Sequence, residues 1–179
     1  MSYHDDIERW TRRCEPKHCP VCRGEEPPED LVTIRETQRS WLEAHPRVCL
    51  PGTCYIMAKA HAVELYDLLE PDLLGFMRDV QMAARALKAV TGAVKINYEI
   101  HGNTVLHLHV HLFPRSVDDP FPGQPIQYDR IEPPVYADGA FEKLAHAMQD
   151  WFTHHEIHDW PCDPGLEWSV ARGLNQESA

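Results

Sequence analysis

The chain has no apolar run approaching the roughly 18 residues that a membrane-spanning helix needs, so no span is expected. It also lacks the basic excess of a protein that lives on nucleic acid. Lys and Arg number 17 against 28 Asp and Glu, a formal net charge of −11, whereas neutralising backbone phosphates supplies most nucleic-acid affinity. That balance still permits a small phosphorylated ligand, which a few local groups can hold. The opening Met1-Ser2-Tyr3-His4-Asp5-Asp6 has no basic stretch followed by an apolar one. A secretion signal is therefore not expected, and the expectation is a cytoplasmic protein. There is no internal repeat and no low-complexity tract. What remains is 179 residues, 43% hydrophobic and 25% charged, enough for one globular domain with a real core.

Six cysteines in such a protein read as thiols or metal ligands rather than disulfides. Only Cys19 and Cys22 form a tight pair, in a loop broken by Pro16 and Pro20. A structural zinc needs four ligands, and no second Cys-x-x-Cys exists. Partners would have to be histidines. His61 and His107 fall near the ends of predicted strands and could reach the loop; Cys14 and His18 compete locally. The plain alternative is a loop with two free thiols.

Periodicity gives the elements. Asp5 to Arg13 predicts a short amphipathic helix with Ile7 and Trp10 on one side. Leu31–Ile34, Ser40–Ala44 and Thr53–Ala58 read as strands, the last launched by the Pro51-Gly52 turn. Pro71 to Val90 predicts the main helix, with Leu73, Leu74, Met77, Val80, Ala84 and Leu87 on its core face and Gly92 closing it. Strands at Val94–Ile100 and Val105–Phe113 follow, joined by a short turn at His101-Gly102-Asn103 and ended by Pro114. Ser116 to Pro134 reads as an exposed loop. A second main helix runs from Gly139 to about His154, burying Phe141, Leu144, Met148 and Phe152. In the tail, Trp160-Pro161 and Trp168 suggest packing onto something, such as a partner subunit.

The chemistry lies in His107-Leu108-His109-Val110-His111. Side chains alternate along a strand, so the three imidazoles share one face while Leu106, Leu108, Val110 and Leu112 take the core face. Three protonated neighbours would repel, so some must be neutral and act as ligands, acceptors or bases. Three solvent-facing histidines, a metal held by the three themselves, or one nucleophile with its neighbours as donors are the readings this pattern permits.

The pattern resembles the histidine-triad (HIT) superfamily, and bacterial HIT hydrolases in particular. His107-Leu108-His109-Val110-His111-Leu112-Phe113 matches the triad. Gly102-Asn103-Thr104-Val105 precedes it and Pro114-Arg115 follows. Pro51 to His61 matches the family's Pro-Gly, strand and Lys-x-His segment, and Cys19-Pro20-Val21-Cys22 its zinc knuckle. The resemblance covers about Cys19 to Arg115. It implies an α+β fold, a five-stranded antiparallel sheet with two main helices, usually paired as a homodimer. The chain then divides into an N-terminal segment with the knuckle (1–24), the HIT domain (25–155) and a tail (156–179).

The resemblance also implies a purine nucleotide substrate cleaved at the α-phosphorus, such as a dinucleoside polyphosphate or a nucleoside phosphoramidate. His109 would be the nucleophile, forming a nucleotidyl-histidine, and His111 would donate to a phosphoryl oxygen. Asn97, Asn103 and Thr104 would join His111 in binding substrate. Cys19, Cys22, His61 and His107 would hold a structural zinc, with no metal required at phosphorus. Asn103 stands where many members carry Gln, and near the expected ribose-binding acid lie Glu43 and His45. The competing classes are a nucleotide-binding protein without catalysis, a metalloenzyme with its metal on the triad, and, weakened by the −11 charge, a DNA-repair deadenylase.

Overall fold

The computed structural model describes residues 3–25, 29–127 and 135–155. The tail expected at 156–179, with Trp160 and Trp168, lies outside them.

Five antiparallel strands form one sheet: β1 (Val32–Glu36), β2 (Ser40–Ala44), β3 (Cys54–Ala58), β4 (Lys95–Glu99) and β5 (His109–Arg115), in the order β1-β2-β3-β5-β4. Among the described residues three α-helices accompany it: α1 (Ile7–Arg13), α2 (Glu70–Thr91) and α3 (Ala140–His154). This is the α+β architecture expected, with α2 and α3 as the main helices.

Alternation sorts the sheet's two faces. Leu42, Ile56, Val110 and Leu112, with Ile96 of β4, are buried on one face, in one cluster with Phe76, Val80, Ala83 and Leu87 of α2 and Phe141, Met148 and Phe152 of α3. Burying side chains of this size contributes about 1.5–3 kcal/mol each, so this layer carries the fold. The opposite face receives Glu43, Tyr55, Met57, His109, His111 and Glu99, aligned across neighbouring strands.

The main helix is where the sequence predicts it, but its core face differs. Val80, Ala84 and Leu87 are buried as expected, but Leu74 and Met77 are exposed, and Phe76, Asp79, Met82 and Ala83 are buried instead. Asp79 explains the rotation: its carboxylate accepts from Thr37 Oγ1 (2.6 Å) and Ser40 Oγ (2.8 Å), tying α2 to the β1–β2 hairpin. A buried carboxylate is tolerable only when so bonded. The helix ends as expected at Gly92, whose left-handed φ of 69° suits a residue without Cβ. In α1, Asp6 caps Arg9 N, but the helix buries none of its residues and Ile7 is exposed.

Two expectations around the histidines are corrected. β5 begins at His109, not Val105, so a longer link replaces the short hairpin turn. Leu108 bonds instead to the end of β3 and the segment after it: its N donates to Ala62 O, and Ala58 N donates to its O. His107 therefore stands off the strand. Nor does Pro114 end β5, which continues to Arg115 with Pro114 opposite Ile96. The pairing with β3 stops at Leu112, so no neighbour there requires the N–H that proline lacks. Arg115 then straps the following loop, donating to both carboxylate oxygens of Asp119 and to Gln124 O, and Phe113 is buried beneath Phe121 and Ile126.

Candidate functional site

The two cysteines of the N-terminal loop meet the first triad histidine. Cys19 Sγ lies 3.3 Å from His107 Nδ1, Cys22 Sγ 3.1 Å from His61 Nδ1 and 3.6 Å from His107 Nδ1. The four donor atoms lie within 4.8 Å of one another. Both histidines face this cluster with the same nitrogen because the other is committed. His107 Nε2 donates to Ala58 O (2.7 Å) and His61 Nε2 to Cys14 O (2.8 Å). A carbonyl accepts only from an N–H, so each Nδ1 carries the lone pair, the outer-shell arrangement that aims imidazoles at a metal. Two sulfurs and two imidazole nitrogens at this spacing fit one tetrahedrally bound ion. Cys14 contributes its carbonyl rather than its thiol, which donates to Trp10 O. Among the described residues this is the group of ligand side chains that could hold a metal.

His109 shows the opposite tautomer. Its Nδ1 donates to His107 O at 2.8 Å, leaving the lone pair on Nε2. Burial lowers the pKa of this ring from its usual value, against the raising effect of that bond, and His101 nearby lowers it further. His111 follows at 4.8 Å between ring centroids, flanked by Tyr55 at 4.9 Å and His101 at 5.7 Å, both edge-on. Burial, then His109 and His101, push His111 down to about 3. Both strand imidazoles are thus neutral near pH 7.

These rings line a cleft of about 710 Å³ together with Glu43, His45, Tyr55, His101, Asn103 and Thr104. Of the residues expected to bind substrate, Asn103, Thr104 and His111 share it with His109. Asn97 does not; it lines a neighbouring depression of about 890 Å³ with Arg115 and Gln124. The larger volume lacks the imidazole cluster, so chemistry rather than size marks the site.

Two further groups stand here. Glu43, which the sequence places only near the position of a ribose-binding acid, projects from β2 beside Tyr55, and burial raises its carboxyl pKa. His101, expected as part of a turn, lies 2.8 Å from Glu99, the residue opposite His111 on β4. The alternation of β2 carried the signal for the first. The second had none, since it depends on the course of the link before β5.

The sequence model of the HIT domain matches residues 25–118, more than half of the chain. The chain belongs to the HIT domain family. Among solved structures it is similar to a histidine triad protein from Bradyrhizobium japonicum, with 26% identity and a TM-score of 0.60 over 68% of this chain and 90% of that one. A histidine triad protein from Sinorhizobium meliloti is 24% identical, with a TM-score of 0.60 over 68% and 89%. A zinc-bound histidine triad family protein from Mycobacterium smegmatis is 21% identical and matches with a TM-score of 0.59, over 79% of this chain and all of that one. No curated protein matches the chain by sequence.

Proposed function

We propose that the protein hydrolyses, or transfers the nucleotidyl group of, purine nucleotide substrates such as dinucleoside polyphosphates and nucleoside phosphoramidates, through a covalent intermediate on His109. The observation that carries this reading is the bond from His109 Nδ1 to His107 O. It leaves the attacking lone pair on Nε2 of a neutral ring, and the same carbonyl stabilises the ring once it bears phosphorus. A covalent step divides one difficult displacement into two easier ones.

His111, neutral and beside the nucleophile, donates an N–H to a phosphoryl oxygen as charge builds there. Asn103 and Thr104 line the same cleft and hold the phosphate chain. Glu43 accepts from sugar hydroxyls; donors from a ligand would relieve a carboxylate that burial disfavours.

Zinc is held by Cys19, Cys22, His61 and His107. When bound, it cross-links the N-terminal loop to the segments that follow β3 and precede β5, and contributes folding free energy. His107 then presents its carbonyl to His109 from a fixed position. In this reading the protein is a cytoplasmic homodimer; exposed Tyr98 and Ile100 at and beyond the end of the edge strand β4 are compatible with pairing.

A substrate panel tests the proposal. With diadenosine polyphosphates and adenosine phosphoramidate, the parent protein releases adenosine monophosphate, and His109→Ala is slowed about 10⁴-fold or more while keeping its circular dichroism spectrum. Hydrolysis of both substrates at the parent rate by His109→Ala would remove the nucleophile from the account. Binding of nucleotide without any release of monophosphate by the parent would leave a binding protein instead.

A further inference from the structure

Breaking a phosphoramidate bond raises a need that the strand histidines do not meet. An amine cannot depart as an anion in water, so its nitrogen must take a proton as the bond to phosphorus breaks. His109 uses its lone pair to attack. His111 is half-buried and neutral, and offers a hydrogen bond rather than a proton.

His101 stands at the mouth of the same cleft, 43% exposed on its side chain, with its ring edge-on to His111 at 5.7 Å. Its Nε2 lies 2.8 Å from Glu99 Oε2. Glu99 is fixed by β4, directly opposite His111 in the ladder. A carboxylate so placed orients an imidazole and stabilises it when it carries a proton. Gly102, at φ 71°, turns the chain immediately after His101.

We propose that His101, oriented by Glu99, is the proton donor to the leaving group. This deepens the proposed function and rests on it. In the first half-reaction the Nε2 lone pair of His109 bonds to phosphorus and the bond from phosphorus to the amine nitrogen breaks. Its electron pair leaves with that nitrogen, which takes a proton from His101. In the second half-reaction neutral His101 takes a proton from water as the water oxygen bonds to phosphorus. The bond to His109 then breaks, giving nucleoside monophosphate and the protonated His101 of the starting state. Glu99 acts through His101 as a positioning residue.

Leaving-group dependence tests the role, because a merely structural contribution would slow all substrates alike. Two probes are compared: adenosine monophosphate amidated with an alkylamine, and its p-nitrophenyl ester, whose leaving group departs without a proton. His101→Ala is expected to lose about 100-fold in kcat/KM on the amidate and less than about threefold on the ester. Glu99→Gln shows the same pattern at smaller size, and added imidazole restores the amidate rate of His101→Ala. Equal losses on both probes, or no loss on the amidate, overturn the donor role and leave the His109 chemistry standing. A parent protein that turns over neither probe overturns the nucleotidyl reading, and the donor role with it.

Discussion

His107 and His109 are two residues apart and both buried, yet they hold their protons on opposite nitrogens. His107 gives its Nε2–H to Ala58 O and turns Nδ1 toward two sulfurs. His109 gives its Nδ1–H to His107 O and keeps the Nε2 lone pair for the cleft. Residue type and burial are the same; the difference lies in which backbone carbonyl each ring meets. The lesson is that function in a histidine cluster is set by the committed nitrogen, since the other one inherits the chemistry. In the proposed function one end of the cluster is a ligand set and the other a nucleophile, joined by a single carbonyl.

The largest expected effect comes from dismantling the ligand end. Cys19→Ser/Cys22→Ser should lose one equivalent of zinc and, with a few kcal/mol of folding free energy, about 10 °C in melting temperature. Below the melt, turnover at His109 should persist, because the cleft residues are untouched. Metal analysis, thermal melts and assays at about 25 °C check both parts. Loss of turnover in a protein that is still folded would mean the two ends are not separable; retention of a full equivalent of zinc would move the metal elsewhere.

A smaller effect sharpens the cleft end. His111 sits at about 3 when folded, while an unfolded histidine sits at about 6.5. Between these values the unfolded chain binds a proton that the folded one does not. Stability from the neutral ring is therefore full above pH 6.5 and falls by about 1.4 kcal/mol for each unit of acidification in that window. Urea midpoints at pH 7 and pH 5 measure the slope, and His111→Gln should flatten it. An unchanged slope would contradict a ring held neutral by burial.

The smallest effect compares two asparagines. Asn103 shares the cleft with His109, whereas Asn97 lines the next depression. Asn103→Ala should reduce kcat/KM by about tenfold, the order of one lost hydrogen bond, and Asn97→Ala by less. The reverse order, read from steady-state kinetics, would extend the substrate over β4 toward Arg115.

Much of this was legible in the sequence because it follows from short-range rules. Alternation put Val110 and Leu112 in the core and His109 and His111 opposite them. Proline and glycine punctuation framed α2, and Cys19-x-x-Cys22 marked a loop whose thiols meet two histidines in a group that could hold a metal. What failed depended on tertiary partners. Periodicity alone could not show that Asp79 turns the face of α2 toward Thr37 and Ser40, leaving Leu74 and Met77 outside. A proline stop rule misplaced the end of β5, because the ladder beside Pro114 has one neighbour rather than two. The hairpin reading likewise hid His101, whose place beside Glu99 and His111 comes from the longer link.

The most direct test of the central claim is to catch the intermediate. The parent protein, mixed with adenosine phosphoramidate and quenched within the first turnovers, should carry one adenylyl group by intact mass, and peptide mapping should locate it on His109. An adduct on another histidine, or monophosphate released with no adduct at any time before the steady state, would contradict the assignment.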